Sequence, residues 1–379
     1  FGASSNGVIH SGTKPTSLAN PDLRWETSEQ LDFGFDSRFF NNSLSFSFDW
    51  FKKDTKDMLM ERPIPLYVGS GSPLSNVGTL TNQGIELEVG YKLSVDKVNL
   101  SFLANASYVK NEIKNLGNQT GYIDKESLPT LGTVSRNENG YPIGYFFGYK
   151  AIGVFQTQEE IDSYISPATG KPIQPNAAPG DTKFEDLNGD GVIDNYDKTV
   201  IGRGDVPRIY YGFGADLQIG DFSISALFQG TGQADRYLDG ICIKPFWDDE
   251  GRDNVFANIH DRWSPDDPTN QDVFYPRMYV GSDANTNNVQ KSSWWVKDVS
   301  FLRLKQLNIS YNIPKKLLDR CFLKSASVYL MGTNLLTFSN FKLWDPELNS
   351  SNGTAYPNVS SYSVGVKSVS YTHLTLPTI

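Results

Sequence analysis

The feature that most constrains this chain is a two-residue alternation of apolar and polar side chains, repeated in long runs. In the segment 24–40, Leu31, Phe33, Phe35 and Phe39 alternate with Gln30, Asp32, Gly34, Asp36 and Arg38. Asn41-Asn42 marks a turn, and Leu44, Phe46, Phe48 and Trp50 then alternate with Ser43, Ser45, Ser47 and Asp49. Successive side chains of a strand point to opposite faces, so the pair reads as a hairpin with one fatty and one wet face. The pattern returns at Leu87, Val89 and Tyr91, and again from Leu100 through Phe102, Ala104 and Ala106 to Tyr108. Tyr211, Phe213, Ala215, Leu217 and Ile219 lead to a turn at Gly220-Asp221, and Phe222, Ile224, Ala226 and Phe228 lead away from it. Leu307, Ile309 and Tyr311, then Ala326, Val328 and Leu330, then Tyr362, Val364 and Val366 complete the series.

A soluble sandwich also alternates, with its apolar face turned inward. Three features favour strands that cross a bilayer instead. The polar face is rich in Ser, Asn, Gly and Gln yet also carries Asp and Glu, as a wet lumen would. The runs reach about 10 residues, the length a tilted transmembrane strand needs. Connections are lopsided, with short ones at 41–42, 94–98, 220–221 and 313–324. If those four share the periplasmic side, then 60–83, 112–207, 233–294 and 339–359 are extracellular. The strand-like run at 144–156 must then belong to a loop, because counting it as a span would reverse the Gly220-Asp221 turn. Nine spanning strands remain. Single-chain bacterial barrels have even strand counts, so nine implies part of a larger barrel. Aromatic placement agrees. Trp25, Trp50, Tyr108, Tyr211 and Phe228 fall near the outer ends, and Phe39, Tyr91, Phe222 and Tyr311 near the periplasmic ends, as two girdles.

Among the 379 residues there is no run of 18 apolar ones, which excludes a transmembrane helix but not a barrel. The net charge of -9 and the absence of basic runs argue against nucleic acid as a partner. Cys242 and Cys321 form no motif; the loop assignment places them a membrane thickness apart and beyond disulfide reach.

One segment has sharp ligand spacing. Asp186, Asn188, Asp190, Asp194 and Asp197 supply side-chain oxygens at positions 1, 3, 5, 9 and 12 of an EF-hand-like loop 186–197. Gly191 occupies the bend at position 6, and the carbonyl of Val192 supplies position 7. The expected ion is Ca²⁺ in a structural role, with the shorter Asp197 standing where Glu is usual. Catalytic readings fare poorly: His10, His260 and His373 show no metal spacing, and no nucleophile elbow or phosphate loop occurs. Asp248-Asp249 and Asp266-Asp267 lie among loop residues and read as hydrated surface, so no enzyme is expected. Trp247, Trp263, Trp294 and Trp295 fall in the long loops, where they could face a sugar or peptide or equally pack the loops together.

With those residues in place, the chain resembles the C-terminal barrel of the SusC/RagA-type TonB-linked outer-membrane transporters of Bacteroidetes. The resemblance spans about 18–367. It rests on Asn20-Pro21-Asp22-Leu23-Arg24-Trp25-Glu26, Asn82-Gln83-Gly84-Ile85-Glu86-Leu87 and Gly140-Tyr141-Pro142-Ile143-Gly144. Gly180-Asp181, Arg262-Trp263-Ser264-Pro265, Phe301-Leu302-Arg303-Leu304-Lys305, Asn334-Leu335-Leu336-Thr337 and Asp345-Pro346-Glu347 add to it. It implies an all-β fold: a partial transmembrane antiparallel β-barrel holding the last nine of 22 strands, with long extracellular loops. It also implies residence in the outer membrane, import of oligosaccharides or peptides, a SusD-like lipoprotein over the mouth, and energy from the TonB complex. A plug and TonB box would lie upstream of Phe1. Residues 1–368 are assigned to the barrel, whereas 369–379 resemble a translated sequencing-adapter tail. The rival expectation is a secreted calcium-stabilised β-sandwich that binds glycan, distinguishable by strand topology.

Overall fold

The computed structural model describes residues 3–5, 8–10, 19–61, 67, 71–128, 132–240, 243, 246, 257–279, 287–318 and 323–370. A small hairpin, β1 (Ala3–Ser5) and β2 (Val8–His10), comes first. Four long strands follow: β3 (Thr27–Phe39), β4 (Leu44–Glu61), β5 (Leu74–Val95) and β6 (Val98–Asn115). The next excursion holds β7 (Tyr122–Leu128), β8 (Gly132–Glu138), β9 (Tyr145–Tyr149), β10 (Ala151–Val154), β11 (Thr182–Phe184) and β12 (Lys198–Gly202). The chain returns through β13 (Ile209–Ile219) and β14 (Phe222–Gly232). A second excursion contains β15 (Asp235–Tyr237) and β16 (Val296–Asp298), and β17 (Phe301–Asn312), β18 (Leu323–Ser339) and β19 (Ser361–Ser370) finish the chain.

Nine strands form one antiparallel sheet in the order β19-β18-β17-β14-β13-β6-β5-β4-β3. Sequence neighbours are spatial neighbours throughout, once the excursions are set aside. This meander is the wall of a partial barrel, and β3 and β19 are its two edges. β9 lies outside it, in a separate sheet ordered β12-β9-β8-β7, as the parity of the turns requires. No crossover between stacked sheets occurs among the wall strands, which removes the β-sandwich reading.

Register fixes which residues share a face, because directly opposed residues point the same way. Phe33 opposes Trp50, Trp50 opposes Ile85, Ile85 opposes Tyr108, and Tyr108 opposes Ile209. Tyr91 opposes Phe102, Phe102 opposes Ala215, and Ala215 opposes Ala226. Ile224, Ile309, Leu330 and Val364 continue the apolar face to the other edge. The reverse face carries Asp36 against Ser47, Glu88 against Asn105, Asp216 against Ser225, and Ser225 against Asn308.

The apolar face is not a core. Phe33 is 65% exposed, Phe102 36% and Val364 77%, and no wall phenylalanine from Phe33 to Phe228 joins a buried cluster. The band has the right height for a membrane. β6 and β13 pair without slippage from Val98↔Ile219 to Tyr108↔Ile209. Ten steps of about 3.3 Å, tilted by about 40°, span roughly 25 Å, the height of the apolar belt of such barrels.

Above that band the strands continue where the alternation stops. On the outward face Trp50 is followed by Lys52, Asp54 and Lys56, which pair through Lys52–Asp54 (3.4 Å) and Lys56–Glu29 (2.7 Å). Beyond Tyr108, Lys110, Glu112 and Lys114 do the same. The backbone ladder nevertheless persists to Glu61↔Leu74. The connection expected at 60–83 therefore spans only 62–73, and β6 runs past the expected onset of the excursion at 112. A strand end set by loss of amphipathic pattern marks the end of the belt, not the end of hydrogen bonding. At the other terminus β19 reaches Ser370, while 371–379 lie outside the described residues, as do Cys242, Cys321 and the separation expected of them.

Candidate functional site

The buried residues gather in the excursions. Val134, Phe146, Ala234, Tyr237, Leu238, Ile243, Tyr275, Trp295, Val299 and Phe341 form one cluster drawn from three connections. Backbone bonds tie them: Tyr149 N–H donates to Lys291 O (2.7 Å), and Asp239 N–H to Ser351 O (3.1 Å). The long loops are thus a packed body at one end of the wall.

Two buried ionic knots fasten it. Asp181, 1% exposed, accepts from Arg277 Nε (3.0 Å) and Nη2 (3.3 Å), Asn288 Nδ2 (3.1 Å) and the Ala178 N–H (2.9 Å). The preceding Gly180 has φ +89°, and a Cβ there would stand 2.4 Å from the Trp263 ring. Only glycine permits that approach. Arg303, 2% exposed, donates to Glu347 (3.0 Å) and pairs with Asp345, strapping the connection 340–360 to β17. The stretches that carry the family resemblance therefore hold one another: Gly180-Asp181 against Trp263, and Arg303 against Asp345-Pro346-Glu347.

The sequence-selected tryptophans are packed. Trp263 is 7% exposed, lies against Val154 and Val273, and donates Nε1 to Gln156 Oε1 (3.2 Å). Trp295 is 3% exposed and donates to Asn288 O (3.0 Å). Trp294 is half-buried and donates to Phe274 O (3.0 Å). Trp247 lies outside the described residues. Loop packing thus occupies Trp263 and Trp295, and of the three described Trp294 alone keeps partial exposure. Asp266 and Asp267 sit exposed in a turn closed by Asp267 N–H to Ser264 O.

The loop 186–197 is closed by its own carboxylates. Asp186 accepts from Gly189 N–H and Gly191 N–H, each at 2.8 Å. Asn188 accepts from Asp190 N–H, Asp190 from Val192 N–H, and Asp194 from Tyr196 N–H. Asp197, fully buried, accepts from Leu187 N–H (2.9 Å) and Asp194 N–H (2.8 Å), joining the two ends of the loop. Gly191 has φ +87°, and a Cβ there would meet Ser166 at 2.3 Å. The donors are all oxygen and suit a hard cation by chemistry. As they stand, no three His, Cys, Asp or Glu side chains among the described residues are grouped closely enough to hold one ion.

Sequence reasoning missed two cations that face cavities, Arg236 buried and Lys297 half-buried. Arg236, 6% exposed, pairs with Asp205 (3.1 Å) and donates to Asn349, while its Nε has no hydrogen-bond partner among the described residues. Lys297 lies over the rings of Phe274 and Trp294, its ammonium 5.1 and 5.9 Å from their centroids. Burial pulls the pKa of Lys297 down, and Asp261 and Asp272 oppose that pull. Nearby, burial raises the Asp235 carboxyl, against the hydrogen bond from Arg203 N–H. None of these positions has a local spacing signal, because apart from Trp294 beside Lys297 their partners lie more than 20 residues away.

A polar-lined wall with an apolar outer belt and a packed loop body defines a transmembrane-type β-barrel with a built mouth. The chain belongs to the TonB-dependent receptor-like β-barrel family, whose model matches residues 1–335. It is 32% identical over 95% of its length to TonB-dependent receptor P26 of Formosa agariphila, covering 36% of that protein. It is 24% identical to TonB-dependent receptor SusC of Bacteroides thetaiotaomicron, covering 95% of this chain and 33% of SusC. The chain thus spans about a third of the length of these relatives. Its fold matches a chain of the RagAB peptide transporter with a TM-score of 0.73 at 24% identity, over 97% of this chain and 38% of that one.

Proposed function

We propose that this chain forms the wall and mouth of an outer-membrane nutrient importer for oligosaccharides or peptides. The carrying observation is the nine-stranded meander whose apolar face is exposed and whose opposite face is polar. Membership of the receptor family supports the membrane placement. Lipid would cover Phe33, Phe102 and Val364, and the Asp36–Asp216 face would line the bore. The loop body would select ligand, with Trp294 and Trp247 as aromatic candidates, and dock a SusD-like lipoprotein outside. Energy would come from the TonB complex acting through the rest of the receptor. The barrel wall supplies positioning and selectivity, not catalysis.

We further infer that Ca²⁺ stabilises the loop 186–197. Asp186, Asn188, Asp190, Asp194 and the Val192 carbonyl would hold it, and Asp197 would close the loop from behind. The ligand spacing and the all-oxygen donor set support this reading.

Uptake tests the import reading. Cells carrying the whole receptor should accumulate a labelled oligosaccharide or peptide that receptor-less cells do not, and collapse of the inner-membrane proton gradient should stop it. Equal uptake by both strains across both ligand panels would refute import.

A further inference from the structure

A cavity of about 440 Å³ opens in the loop body among Asn258, Asp261, Phe274, Lys297, Phe341 and Leu343. That volume is within the range of sites for small organic ligands, roughly 300–1,000 Å³. Its walls are mainly apolar, and its charged groups differ in whether they are already engaged. Asp261 Oδ1 accepts from Phe274 N–H (3.1 Å). Asp298 pairs with Arg203 (3.6 Å) and accepts from Ser300 N–H (2.7 Å). Lys297, by contrast, makes ring contacts but no hydrogen bond or ion pair among the described residues, and Asp261 and Asp272 attract it only from beyond ion-pair distance. Lys342, a second lining residue, likewise has none.

The uncommitted charged donors of this cavity are therefore Lys297 and Lys342, with the neutral amides of Asn258 and Asn340 also in the lining, and they stand beside aromatic and aliphatic walls. An ammonium held over two rings is partly desolvated, which strengthens its attraction to an anion that displaces the remaining water. Lys297 is also fixed in place. It lies on β16, whose backbone pairs with β15 so that Lys297 opposes Arg236. The neighbouring Val296 and Trp295 pack into the loop core.

We propose that this cavity is a subsite for a carboxylate carried on an apolar or ring-shaped body, with Lys297 as the anion-binding group and Phe274 and Phe341 as the platform. The proposal deepens the import reading and rests on it for the claim that the ligand is cargo. Two sources share this chemistry: the C-terminal carboxylate of a peptide ending in an apolar residue, and the carboxylate of an acidic sugar.

Calorimetric titration of the detergent-solubilised whole receptor separates these cases. The probes are the tripeptide Ala-Ala-Phe with its C-terminal amide, and a glucuronate-containing disaccharide with its neutral glucose counterpart. The acid of at least one pair should bind at least about tenfold more tightly than its neutral partner, as one charge-assisted hydrogen bond allows. The peptide pair doing so identifies a peptide terminus, and the sugar pair an acidic glycan. Lys297→Met, which keeps the apolar stem, should abolish the preference, and Lys297→Arg should retain it. Retained migration of the folded barrel on unheated gels verifies that both variants fold. Equal binding of acid and neutral forms in both pairs, absence of binding by either pair, or a preference that survives Lys297→Met overturns the proposal. Uptake in cells is read separately, so an importer without acid preference is distinguished from a chain that imports nothing.

Discussion

Placing an arginine at Ala215 tests the lipid-facing belt through its energetics. Ala215 lies on β13 between Phe102 of β6 and Ala226 of β14, on the outward face. It is four residues from Ile219 at the belt's edge, so roughly 10 Å in from that edge after allowing for tilt. At the middle of a bilayer an arginine costs about 2–4 kcal/mol, whereas near an interface the cost falls to about 0–1 kcal/mol. Ala215→Arg should therefore weaken folding into phosphatidylcholine vesicles by about 30- to 700-fold in the equilibrium constant. Ile219→Arg should weaken it far less. Gln218→Arg, one residue away but on the bore face, should stay within about 0.5 kcal/mol of the parent. Urea titration of the vesicle-inserted receptor, followed by tryptophan emission, measures all three. Were Ala215 simply water-exposed, its substitution would cost no more than that of Gln218. Equal costs at 215, 218 and 219 would refute the depth argument.

Two further outcomes follow from the loop body. Ca²⁺ at 100 times its dissociation constant should add about 2.7 kcal/mol to the stability of the loop segment, and Asp186→Asn with Asp190→Asn should remove the effect. Thermal melting of the receptor with Ca²⁺ and with EDTA reads this, and identical curves would sink the calcium site. Arg303→Met leaves the nearly buried Asp345 without its partner while Glu347 keeps Lys305 and Asn358, a change that should cost less than the roughly 3–5 kcal/mol of breaking a fully buried ion pair. Limited proteolysis should then cut within 340–360 in the variant and not in the parent, and indistinguishable digestion would argue against the strap.

The wall was legible because lipid and water impose opposite demands on alternate residues. Phe46, Phe48 and Trp50 declare one face, and Ser45, Ser47 and Asp49 the other. Even the exclusion of β9 from the wall followed from the parity of short and long connections. Where the outward face leaves the belt that demand ends, so the sequence alone assigns 60–61 and 74–83 to a connection although the ladder runs through them. The loop body was less accessible. Trp263 and Trp295 were visible as aromatic residues, but their burial depends on partners distant in sequence, Gly180 against Trp263 and Val134, Phe146 and Phe341 around Trp295. Lys297 gave no signal at all, since a lone lysine acquires meaning only when Phe274, Trp294 and Phe341 surround it. The EF-hand-like spacing was legible as a donor set, whereas the use of Asp197 to close the loop through backbone amides emerged only from geometry.

Nitroxide labels placed singly along β13 of the bilayer-inserted receptor probe the account at its root. Labels at 211, 213, 215, 217 and 219 should collide with dissolved oxygen, which concentrates in lipid, and be shielded from a water-soluble nickel chelate. Labels at 212, 214, 216 and 218 should lack that lipid signature, giving a two-residue oscillation in phase with Tyr211–Ile219. Access of the nickel chelate to positions 213 and 215, or a profile without the oscillation, would contradict a wall with lipid on one side and an aqueous bore on the other.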